Sequence, residues 1–118
     1  MRHTNLIAVS LLIISILTGC TDDLDNWQKT NFDQPAWAQS AEMDRYIFAA
    51  DLIESKRLLG LSQHEVLRLL GKSSYAAKDG SYITYVIKAE GGSVFILDIR
   101  FDANKAKPVV KNVFVRAD

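Results

Sequence analysis

Apolar and polar residues alternate most regularly in VFILDIRF, Val94 to Phe101. Phe95, Leu97, Ile99 and Phe101 fall on one side, and Ile96, Asp98 and Arg100 fall on the other. A period of two marks a half-buried strand. Tyr82 to Lys88 reads the same way, with Ile83, Tyr85 and Ile87 sharing a face, and Glu90-Gly91-Gly92-Ser93 joins the two as a hairpin turn. Asp102 to Pro108 predicts a second turn and Val109 to Arg116 a third strand. Two facings of that strand fit equally. One turns Val109, Val113 and Val115 inward with Lys111, and the other turns Val110 and Phe114 inward with Asn112.

Upstream the period changes to three and four. Met43, Tyr46, Ile47, Ala50 and Ile53 make one stripe, with Asp44, Asp51, Glu54 and Ser55 opposite, which predicts an amphipathic helix. It ends in the basic turn Lys56-Arg57, suited to the negative helix end, and stops at Gly60. Ser62-Gln63-His64-Glu65 matches a capping box, and Val66, Leu67 and Leu70 give the second helix a buried stripe up to Gly71. The order predicts an α+β domain over 42–118: a helical hairpin packed on one face of a three-stranded antiparallel meander, ααβββ.

Residues 20–41 have no sustained apolar period, contain Pro35 and are rich in Asp, Asn and Gln, so they read as a tether. Trp27, Phe32 and Trp37 interrupt it, which places both tryptophans outside the expected core. They either fold back onto the domain or dip into lipid headgroups, or they contact a partner.

Residues 1–19 read as a signal peptide: Arg2 without an acid, then the twelve-residue run LIAVSLLIISIL, then small residues before Cys20. The run is too short to span a bilayer and suits a signal h-region. Leu17-Thr18-Gly19-Cys20 resembles a bacterial lipobox. That resemblance implies a diacylglyceryl thioether on Cys20, cleavage before it and acylation of the new amine. The chemistry requires a thiol, and several acyl chains make a stable membrane anchor. Thr21, not aspartate, follows the cysteine. By resemblance to the enterobacterial sorting rule, this implies the outer membrane, with the domain facing the periplasm.

Charge narrows the partners. The 118 residues carry 14 basic and 14 acidic side chains, so no long-range field recruits nucleic acid. With one cysteine the monomer forms no internal disulfide. His64 lies in a capping turn with no second histidine or cysteine beside it, and Asp22-Asp23-Leu24-Asp25 lacks the glycine and terminal glutamate of a calcium loop. No nucleophile has an activating partner, and no phosphate-binding or dinucleotide motif occurs. No enzyme activity, metal, cofactor or small-molecule substrate is expected.

Met43 to Gly71 resembles the helical hairpin of the BamE/SmpA/OmlA-like small outer-membrane lipoproteins. Leu59-Gly60-Leu61-Ser62, Glu65-Val66 and Leu69-Leu70-Gly71 carry the resemblance, and the lipobox and strands extend it. Two places depart from that pattern: Lys72-Ser73-Ser74 stands where a proline is common, and Asp102 to Pro108 replaces the usual Asp-x-x-Gly turn. The resemblance implies a non-catalytic envelope lipoprotein acting as a scaffold or accessory factor for another envelope protein. The architecture also resembles the repeat of a secreted β-lactamase inhibitor, which implies the alternative of an inhibitor or immunity-type lipoprotein. In either case the face left open by the helices is the expected docking surface. Tyr82, Val86, Ile96 and Arg100 lie on it with Thr84, and Trp27 and Trp37 are expected to add a second contact.

Overall fold

The computed structural model describes residues 22–118, so the signal-peptide reading of 1–19 and the lipidation reading of Cys20 lie outside the described residues. The described chain is α+β. It runs α1 (Asp22–Asn26), α2 (Gln34–Gln39), a 3₁₀ helix (Glu42–Phe48), α3 (Ala49–Glu54), α4 (Gln63–Leu70), then β1 (Tyr75–Ala76), β2 (Tyr82–Glu90), β3 (Ser93–Phe101) and β4 (Val110–Ala117). The strands form one antiparallel sheet in the order β1-β2-β3-β4. Ile83, Tyr85, Ile87, Leu97, Ile99 and Phe101 pack beneath the helices with Phe48, Leu52, Leu58, Val66 and Leu70.

Local chemistry accounts for the joints. Ser62 Oγ accepts the Glu65 N–H at 3.2 Å, and Glu65 Oε1 accepts the Ser62 N–H at 2.8 Å, closing the capping box. Gly71 ends α4 at φ +82°, its N–H bonded to the Leu67 carbonyl. Gly91 and Gly92 stand at φ +59° and +83°, the pair of positive values that a two-residue type I′ hairpin demands.

The Ser62 backbone N–H, then its hydroxyl, hold the Glu65 carboxyl below the usual carboxylate range. A depressed pKa gives stability that is complete above the ordinary value of about 4.3 and is lost as pH falls through the folded-state value. Glu65→Gln keeps an acceptor for the Ser62 N–H but removes this titration. Denaturation midpoints at pH 7 and pH 3 are expected to differ less for Glu65→Gln than for wild type.

Three expectations change. The first helix is a 3₁₀ segment followed by a short α-helix, so each of its first residues advances about 120° instead of about 100°. The stripe accordingly rotates: Phe48, Ala49 and Leu52 are buried, Tyr46, Ile47 and Ile53 are half-buried, and Met43 is 44% exposed. The helix ends at Glu54, with Lys56 in the left-handed region at φ +58°, ahead of Gly60. A fourth strand, β1, comes from the segment before Tyr82 that carries no alternation of its own.

The third change is larger. The stretch read as a tether packs onto the domain from Leu24 onward, with Phe32 and Trp37 inside the core. Asp33 caps α2, accepting the Ala36 N–H at 3.0 Å, and Pro35 sits in the first turn, where its missing N–H costs nothing. Thr30 donates its N–H to the Ile47 carbonyl at 2.9 Å, and Phe32 donates its N–H to Asp51 Oδ2 at 2.8 Å. Polar composition therefore does not make this segment a free linker. Its few large aromatics bury enough surface to hold it.

The facing of β4 resolves through a bulge. Asn112 pairs with Arg100 and Val110 with Phe101, which leaves Lys111 as an extra residue. Val113 and Val115 lie opposite Ile99 and Leu97 under the helices, and the bulge returns Val110 to the same side. Each expected facing thus holds for part of the strand.

Candidate functional site

The register places Tyr82, Thr84 and Val86 of β2 beside Arg100, Asp98 and Ile96 of β3, and these beside Asn112, Phe114 and Arg116 of β4. All lie on the face that the helices leave open. Tyr75 joins them from β1, opposite Thr84, with its ring 5.9 Å from that of Tyr82.

Asp98 organises this face. Its side chain is fully buried although no helix covers it. Arg100 grips it side-on, Nε donating to Oδ1 at 2.8 Å and Nη2 to Oδ2 at 3.0 Å. Arg116 Nε donates to Oδ2 at 2.8 Å and its Nη1 reaches Asp118. Two guanidiniums thus lie over one carboxylate and compensate its desolvation. The hydrogen bond to Asp98 is the chief cause that raises the pKa of Arg116 above its ordinary value. Arg100 is also flanked by rings, 4.1 Å from the Tyr82 centroid and 5.9 Å from that of Phe114. Both arginines keep about a third of their side-chain surface exposed (36% and 33%), so the layer is accessible and held in place.

The structure places Tyr82, Val86 and Arg100 on one face, with Tyr82 and Arg100 in contact, and it changes the role of three other residues. Ile96 is on the open face, between Val86 and Arg116, but only 8% exposed, so it offers a partner little surface. Trp37 is 0% exposed and cannot contact a partner. Its Nε1–H donates to the Leu70 carbonyl at 2.7 Å, and Arg45 lies 4.6 Å over its ring. Trp27 is half-buried on the helix side, packed edge-on against Tyr46 and Phe95 and separated from the open face by the sheet. Both tryptophans therefore follow the fold-back alternative.

Phe114 and Arg116 were missed as site residues because the facing of β4 was open. The β3 pattern puts Asp98 on the open face, but its role as the buried centre depends on Arg116. Tyr75 gave no signal, since β1 is two residues long.

Among the described residues, no group of His, Cys, Asp and Glu is arranged to hold a metal, and no helix is long and apolar enough to cross a membrane. No protein-family model, curated protein or solved structure matches this chain.

Proposed function

We propose that this chain is a non-catalytic bacterial envelope lipoprotein, anchored in the outer membrane through Cys20, whose open sheet face docks a protein of the envelope. The observation that carries the docking reading is the Asp98-centred layer. Arginine and aromatic residues are enriched where binding energy concentrates. Here Arg100 and Arg116 are fixed by a buried carboxylate, and Arg100 by the Tyr82 ring, so less rotamer entropy is lost on association. The lipobox resemblance supports the anchor, and the resemblance of Met43 to Gly71 to BamE-like proteins supports the scaffold role.

Val86 tests the face. It is half-buried on the open side, with its N–H held by Ser74 Oγ at 2.9 Å, so its backbone is fixed independently of its side chain. Val86→Asp would place a carboxylate where a partner must desolvate it. Recovery of the partner with the full-length protein from detergent-solubilised envelope is expected to fall about tenfold or more, with the thermal midpoint retained. Wild-type recovery with Val86→Asp would exclude this face. A single stoichiometric hydrolase as the partner would favour inhibition over scaffolding.

A further inference from the structure

The two edges of the sheet are treated differently. The outer edge of β2 is covered over much of its length: β1 pairs with Ile83 and Thr84, Ser74 donates its N–H to the Thr84 carbonyl, and Ala77 donates to the Tyr82 carbonyl. The outer edge of β4 is covered only at its start. There Gly60 donates to the Val110 carbonyl at 2.9 Å, Val110 donates to the Leu61 carbonyl at 2.8 Å, and Ser62 bridges to Val109. Beyond Val110, no described element pairs with this edge.

Hydrogen-bond parity identifies the free groups. Asp118 and Val94 exchange both backbone bonds, at 2.8 and 3.4 Å. Such pairs recur every second residue in an antiparallel ladder, so Arg116, Phe114 and Asn112 direct their backbone groups to Ile96, Asp98 and Arg100. Val113, Val115 and Ala117 then direct theirs outward. No proline interrupts this stretch, and the guanidinium of Arg116, which could guard the edge, is turned onto Asp98.

We propose that this edge pairs with the same edge of a second copy of the chain, β4 against β4 across a two-fold axis through Val115. The free groups are symmetric about Val115, and this register sets Val113 opposite the partner's Ala117 and Val115 opposite its own copy. The half-buried valines at the rim of the core become covered. On the open face Phe114 meets the partner's Arg116, and Asn112 meets the partner's Asp118. No like charges face each other. A register centred on Phe114 would set Ala117 against the bulged Lys111 and leave it unpaired. The dimer would extend the antiparallel sheet across both copies and make both open faces continuous.

Single cysteines in the full-length protein test the register. An antiparallel hydrogen-bonded pair has its Cα atoms about 5.5 Å apart, within the disulfide range. Val115→Cys is expected to give a disulfide-linked homodimer on mild oxidation in membranes, while wild type, which keeps Cys20, and Phe114→Cys give none. Val115→Pro removes an outward N–H that the native ladder does not use. It is expected to convert a dimer, read by sedimentation in detergent, into monomer. Monomeric wild type together with no cross-link at Val115→Cys would overturn the proposal. So would a cross-link from that position to a different protein, and a link at Phe114→Cys in its place would overturn the register.

Discussion

Trp37→Ala is expected to destabilise the domain by about 3–5 kcal/mol, the usual cost of emptying a buried tryptophan site. The indole is fully buried and packs against Phe32, Phe48 and Tyr85, with ring centroids 6.0, 6.0 and 5.9 Å away. Its N–H also satisfies the Leu70 carbonyl at the last turn of α4, a group with no partner inside its own helix. Truncation therefore opens a cavity and strands a buried acceptor. Total stability of a small domain is about 5–15 kcal/mol, so this single change removes a large part of it. Trp37→Phe keeps most of the ring and loses only the hydrogen bond, which should cost about 1–3 kcal/mol. Trp27→Ala should cost less than Trp37→Ala, because Trp27 is half-buried at the rim. Urea denaturation of the three variants checks the order. If Trp37→Ala left the midpoint unchanged, residues 32–40 would be a tether after all.

The contrast between the two tryptophans shows what the sequence could and could not reveal. Strand β3 was legible because Phe95, Leu97, Ile99 and Phe101 fall on one side while Asp98 and Arg100 mark the other. The Ser62–Glu65 box and the Gly91-Gly92 turn were legible because each is fixed by chemistry within four residues. Helices of five and six residues, such as α1 and α2, are too short to display a period, so their burial shows only in tertiary contacts. The Asp33-Gln34-Pro35 start of α2 was nonetheless a readable signal, an N-cap followed by proline. The facing of β4 was hidden by the bulge at Lys111, which reverses parity within the strand. Since Phe114 and Arg116 depend on that parity, the β4 row of the open face was hidden with it.

The position of the described residues also bears on the anchor. Leu24 and Trp27 already pack on the domain, so few residues separate Cys20 from the folded surface. If Cys20 carries acyl chains, the domain sits close to the bilayer, with little freedom to search for a distant partner. The proposed anchor makes the largest all-or-none prediction. A serine hydroxyl is a far weaker nucleophile than a thiolate at neutral pH, so Cys20→Ser should accept no diacylglyceryl group. Cleavage that requires this modification would then fail. The precursor would retain its twelve-residue apolar run, which is shorter than the roughly 20 residues of a stable transmembrane helix. A mature form with several acyl chains gains about 0.8 kcal/mol for each buried methylene and stays bound, whereas one chain alone would bind only marginally. Metabolic labelling with palmitate is therefore expected to mark wild type and not Cys20→Ser, and intact mass should place the variant at precursor size. The outer-membrane assignment is checked separately by density fractionation of the labelled wild type. A labelled, cleaved Cys20→Ser protein would remove Cys20 as the anchor, and the open sheet face would then act in a protein held to the membrane by other means or free of it.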